Sequence, residues 1–179
     1  MIASVPKNRI TVLQGEVQVA GDPQTVLTTL LGSCVAACVR DPHAGIGGMN
    51  HFLVPGTDRG RGGHVESYGL FLMELLINTL LKQGARRERL EAKLFGGGQV
   101  VDGLGNIGMK NAAFAERFLQ MERITYLGGS LGGVTGRRVE YWPATGRVRQ
   151  LLMDARQVER QAPKPRVPAV ADLGEVELF

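Results

Sequence analysis

A thiol and an imidazole are the residues of this chain best spaced for chemistry. Cys34 follows Leu31-Gly32-Ser33, and His51 comes seventeen residues later. Between them lie Val35 to Arg40, the turn Asp41-Pro42-His43-Ala44-Gly45, and the return segment Ile46-Gly47-Gly48-Met49-Asn50. Asp-Pro followed by Gly is strong turn chemistry, and the flanking apolar runs read as the two arms of a β-hairpin. If Arg40 pairs with Gly45, Cys34 stands directly opposite His51, with Cβ atoms about 4.5–5.5 Å apart. If the loop takes two more residues and Arg40 pairs with Gly47, the two become diagonal neighbours, roughly 7–8 Å apart. Both registers leave them on one face; only a slip by one residue separates them. Together they form the minimal nucleophile–base pair, in which the imidazole takes the thiol proton and, once charged, stabilises the thiolate. Gly32 and Ser33, at a strand entrance, add backbone N–H groups that can be left unpaired and aimed at a substrate oxygen. The alternative for Cys34 is a small buried hydrophobe, a role that suits Cys38 between Ala37 and Val39.

Other motifs carry less. Gly103-Leu104-Gly105-Asn106-Ile107-Gly108 matches a dinucleotide fingerprint, but its preceding strand is poor and no acidic residue ends the next one. Gly128-Gly129-Ser130-Leu131-Gly132 matches a serine-hydrolase elbow, but it runs into Gly133-Val134-Thr135-Gly136 and not into a helix. Glycines serving turns and close backbone approach account for both. Three histidines and two cysteines without a C-x-x-C or paired helical histidines do not make a metal site, and His43 and His64 read as exposed. The chain is expected to need no metal or organic cofactor.

The elements that must position the pair follow from patterning. At 179 residues with 44% apolar and 21% charged residues, the chain suits one soluble domain. Arg9 to Ala20 alternates and reads as a strand pair bent at Gln14-Gly15, and Thr25 to Leu31 as a further strand. Glu66 to Gln83 reads as the main core helix, with Phe71, Leu72, Leu75, Leu76 and Leu80 at helical spacing and Gly84 as its cap. Asn106 to Met121 is a second helix, with Ile107, Phe114 and Phe118 on one side. Leu90 to Phe95 and Arg123 to Leu127 are strands, and Val139 to Trp142 pairs with Val148 to Met153. Strands at both ends and two central helices imply an α+β fold, a layered α/β sandwich with largely antiparallel sheets. The domain is read as residues 1–155. A Pro/Arg-rich and then acidic stretch, 156–179, is read as a mobile tail. Val54 to Gly63 is a Gly- and Arg-rich loop able to touch a substrate.

A net charge of +4 and a pI near 9.4 come from small scattered basic groups and the tail. With only 6% aromatics and no basic stretch interleaved with them, nucleic-acid binding is not expected. The longest apolar run, Leu70 to Leu81, carries Glu74 and Asn78 and is too short to span a bilayer. With no apolar h-region near Met1 and free thiols expected, the reading is cytoplasmic.

Leu31-Gly32-Ser33-Cys34 with His51, followed in order by Lys93 to Gly98, Ile107-Gly108-Met109-Lys110-Asn111, and Gly128-Gly129 to Gly136-Arg137-Arg138-Val139, resembles the CheD family of chemoreceptor glutamine deamidases. The resemblance covers roughly Ile10 to Met153. It implies a fold similar to the catalytic domain of cytotoxic necrotizing factor toxins and a Cys-His-Thr triad, with Cys34 as nucleophile and His51 as base. The family's threonine lies six residues before the cysteine, which selects Thr28, with Thr29 next to it. The implied reaction is cysteine-dependent hydrolysis of chemoreceptor glutamines, with receptor methylesterase action as an extension. The implied partners are receptor cytoplasmic helices and a CheC-type phosphatase. The contrasting readings are a non-catalytic module that docks such a phosphatase or receptors, and a redox-sensing thiol.

Overall fold

The computed structural model describes residues 7–54, 65–100, 102–103 and 105–161. Among the described residues nine strands run β1 (Asn8–Thr11), β2 (Val17–Ala20), β3 (Thr25–Leu31), β4 (Val35–Asp41), β5 (Ile46–Asn50), β6 (Glu91–Gly96), β7 (Thr125–Leu131), β8 (Gly136–Trp142) and β9 (Arg147–Met153). The helices are α1 (Val65–Lys82), α2 (Ile107–Met121) and a short α3 (Ala155–Gln161). One sheet has the order β1-β3-β8-β9 and the other β2-β5-β4-β6-β7. All neighbouring strands are antiparallel except β1 with β3 and β6 with β7, so the expected α+β class and largely antiparallel sheets are observed.

The two sheets face each other across Leu27, Leu31, Ala36, Cys38, Met49, Phe95, Val139 and Tyr141. The other face of the five-stranded sheet carries Val35, Ala37 and Val39, covered by α1 and α2. Every residue from Val35 to Val39 is therefore buried, because β4 has protein on both sides. From α1 the buried residues are Leu72, Met73, Leu76, Ile77 and Leu80, each worth about 1.5–3 kcal/mol when fully buried. The stripe is turned by one position from the sequence reading: Phe71 and Leu75 face outward. The cause lies in β5, where a Cβ on Gly48 would come within 2.7 Å of Leu76, so the sheet accepts the Leu72–Leu76 side of the helix closely. From α2, Phe114 and Phe118 enter the same layer, Phe114 meeting Phe52 edge-on at 5.7 Å.

Two further features differ from the sequence reading. β1 and β2 do not pair; they join different sheets, because the turn at Leu13–Glu16 carries the chain from one layer to the other. The chain also continues past 155 as α3, and the rest of the proposed tail, like most of the loop from Val54 to Gly63, lies outside the described residues.

Candidate active site

Hairpin register decides whether the thiol and the imidazole meet. Arg40 pairs with Gly47 and Cys38 with Met49, and an isolated bridge joins Val35 to Phe52. The longer-loop register is therefore the one formed. His51 stands opposite Ala36 and Cys34 is its diagonal neighbour, on the face that looks toward the four-stranded sheet.

His51 is held from several sides. Its N–H donates to the Glu16 carbonyl at 3.2 Å, and its own carbonyl accepts from the Gly15 N–H at 2.7 Å. Gly15 sits at φ +87°, which lets the 13–16 turn close against the histidine. The ring Nδ1 lies 2.9 Å from the Thr29 hydroxyl and 3.3 Å from the Val12 carbonyl. Thr29 donates its hydroxyl proton to that same carbonyl at 2.7 Å. With its proton committed there, the Thr29 oxygen meets Nδ1 as an acceptor, so the network assigns the proton of the neutral ring to Nδ1. Nε2 is then a bare lone pair, and it is buried without a hydrogen-bond partner. Burial pushes the imidazole down to about 4, against the opposing pull of the Val12 carbonyl and the Glu16 charge.

Cys34 ends the turn between β3 and β4. All three carbonyls of that turn are taken: Gly32 by the Gly98 N–H at 2.9 Å, Cys34 by the Gly97 N–H at 2.8 Å, and Ser33 by the Asn111 side chain at 2.8 Å. The β6 end approaches so closely that a Cβ on Gly96, at φ +107°, would lie 2.1 Å from the Cys34 carbonyl. A Cβ on Gly108, in the first turn of α2, would lie 2.4 Å from the Gly98 carbonyl. Close packing thus explains that glycine of the apparent dinucleotide motif; Leu104 lies outside the described residues. The thiol is half-buried and donates to the Gln14 side-chain oxygen at 3.5 Å. Burial raises it to about 11, partly countered by a hydrogen bond from its own backbone N–H.

Burial thus favours the neutral form of both groups, with the thiol directed to Gln14 and Nε2 without a hydrogen-bond partner. Low polarity between the sheets disfavours both charges. The hydroxyl that meets the imidazole is that of Thr29. Strand alternation places Thr28 on the outer face of the four-stranded sheet, with Leu27 and Leu31 marking the inner face alongside Thr29. Gly32 and Ser33 lie in the turn that leads from β3 into Cys34. Asn111 stands in the family block and Gln14 at the strand bend, but the sequence reading gives no role at the site to either or to the Val12 carbonyl. A backbone carbonyl has no sequence signature, and the other two reach the turn only through long-range packing.

Of the other candidates, Cys38 is buried between the sheets and its thiol is driven well above the ordinary range by burial. Cys34 and Cys38 are both free. His43 is exposed at the hairpin turn, and His64 lies outside the described residues. Gly128–Leu131 continues β7, and buried Arg137 ties its end down by donating to the Ser130 carbonyl and hydroxyl and the Gly132 carbonyl. Among the described residues no group of three or more His, Cys, Asp or Glu could hold a metal ion, and no helix is long and apolar enough to cross a membrane.

A family model described as CheD chemotactic sensory transduction matches residues 53–151. That match begins just after His51, but curated relatives span the whole site. A protein of Caulobacter sp. (strain K31) is 57% identical, the alignment covering 98% of this chain and 95% of the relative. One from Caulobacter vibrioides is 57% identical over 96% of this chain and 93% of the relative, and one from Rhizobium etli 53% identical over 94% and 93%. The chain belongs to the CheD family. All three relatives bear the name probable chemoreceptor glutamine deamidase CheD. Among solved structures, a Neisseria meningitidis protein (NMB0706) aligns at 13% identity over 71% of this CheD chain and 64% of its own, with a TM-score of 0.43.

Proposed function

We propose that this CheD family member hydrolyses chemoreceptor glutamine side chains to glutamate, with Cys34 as nucleophile and His51 as general base and acid. The observation that carries the reading is the buried, bare Nε2 of His51, whose tautomer is set by Thr29 and Val12 on the face shared with Cys34. A base needs an available lone pair and an orienting partner on its other nitrogen. The substrate carboxamide displaces the Gln14 side chain from the sulfur. The Cys34 thiol then passes its proton to Nε2 as sulfur bonds to the amide carbon, and the carbonyl electron pair moves onto oxygen. Collapse of this intermediate expels ammonia, which takes the proton from His51, and leaves a thioester. His51 next removes a proton from water, whose oxygen attacks the thioester; glutamate leaves and the thiol is restored. Thr29, and not Thr28, is the third member, holding the ring by accepting from Nδ1–H.

The relatives' names supply the substrate class, receptor glutamines. The same reading carries the expected kinship with the cytotoxic necrotizing factor catalytic domain, which a superposition of the three layers and the thiol–imidazole pair would test. The direct assay incubates the protein with a receptor cytoplasmic fragment. It follows ammonia release and a mass gain of about one dalton per modified site. Cys34→Ala and His51→Ala proteins should release none. Equal turnover by Cys34→Ala removes the mechanism.

A further inference from the structure

Asn111 sits in α2, its side chain fully buried, and joins two segments that are distant in sequence. Its Nδ2 donates to the Ser33 carbonyl at 2.8 Å, and its Oδ1 accepts from the Val54 N–H at 2.8 Å. One partner is an acceptor and the other a donor, so the amide has a single workable orientation. Ser33 precedes the nucleophile, and Val54 lies three residues beyond His51. One side chain thus braces both ends of the hairpin that carries the pair.

Resting on the Cys34 reading above, we propose that Asn111 is a positioning residue that aims the Cys34 N–H at the oxyanion formed during attack. No cis peptide bond occurs among the described residues. In a trans peptide, the carbonyl of one residue and the N–H of the next point in opposite directions. Pulling the Ser33 carbonyl toward α2 therefore swings the Cys34 N–H to the other side of the turn. One observation agrees. Among the described residues the Cys34 N–H donates to no backbone or side-chain oxygen of another residue, whereas the Val35 N–H beside it is committed to Phe52 at 2.9 Å. A donor with no partner among the described residues, in a peptide whose carbonyl is held by a buried side chain, is preorganised for charge that appears only as the reaction proceeds. The Gly98 N–H fixes the Gly32–Ser33 peptide in the same sense. Asn111 touches neither substrate nor sulfur; it acts through this peptide plane.

The test uses the full chain and an Asn111→Asp substitution, which keeps the acceptor for Val54 and removes the donor to Ser33. The expected result is a fall in kcat of about 100-fold or more, the scale of losing one oxyanion donor, with KM within about twofold. Alkylation of Cys34 by iodoacetamide, which develops no oxyanion, should stay within about threefold of the parent. A kcat within threefold of the parent overturns the proposal, and so does a kcat loss matched by an equal loss of alkylation rate. Activity retained by Cys34→Ala overturns the underlying mechanism instead. If Asn111→Asp does not fold, the parent protein answers by NMR, with a receptor peptide whose reactive glutamine carboxamide is replaced by an aldehyde. Sulfur adds to the aldehyde carbon and the Cys34 amide proton should shift downfield; no shift on addition overturns the proposal.

Discussion

If Cys34 and His51 react as proposed, their shifted ionisation makes the pH dependence of the reaction unusual. With His51 lowered to about 4 and Cys34 raised to about 11, the productive state is neutral imidazole with intact thiol. That state is lost below about 4, where His51 is protonated, and above about 11, where the thiol ionises without its base. At pH 5.5 a histidine near 4 is still about 97% neutral, whereas one at the ordinary 6.5 would be only about 9% neutral. Measured by ammonia release on a receptor fragment, kcat/KM should therefore change less than about twofold from pH 5.5 to 9. Alkylation gives a second reading. At pH 7 a thiol near 11 is about one part in 10⁴ thiolate, against about three parts in 100 at 8.5. Cys34 should react about 300-fold more slowly than a free cysteine and speed up about tenfold per pH unit through pH 10. An acid limb centred near 6.5, or an alkylation plateau reached below pH 8.5, would refute this reasoning and reinstate a thiolate–imidazolium pair.

Exchanging the two threonines for valine one at a time should separate their roles. Thr29→Val lowers kcat about tenfold by removing the acceptor on Nδ1, while Thr28→Val stays within about threefold in the same assay. Histidine burial also enters stability. Between about 4 and the ordinary 6.5 the unfolded chain binds a proton at His51 that the folded chain refuses, so stability falls as pH falls through this window. The total is about 3 kcal/mol, visible as a declining urea midpoint that is flatter in His51→Gln. Far from the site, fully buried Asp41 accepts from the His43, Ala44 and Arg86 N–H groups and from Arg89. Burial opposes its charge, but those bonds prevail and hold the carboxyl at about 2. Asp41→Ala should cost about 3–5 kcal/mol in chemical denaturation by leaving Arg89 and three amides without their acceptor.

Parity along the hairpin was legible in the sequence because strand side chains repeat every two residues and both plausible registers preserve that parity. The shared face of Cys34 and His51 therefore followed from their spacing alone, and so did the layered α+β class, from the order of strand-like and helix-like segments. Thr28 and Thr29 look alike in sequence; only the packing of Leu27 and Leu31 against the second sheet shows that Thr29 faces inward. Protonation was equally out of reach. It depends on how much low-polarity protein surrounds the pair, a property of two sheets closing together and not of any neighbouring residue. Asn111 reaches Ser33 across 78 positions of sequence, and no local pattern encodes a contact made by folding a helix back onto a turn. Local spacing put the thiol and the imidazole on one face; tertiary packing decided which threonine hydroxyl meets the ring and which side chain holds the Ser33 carbonyl.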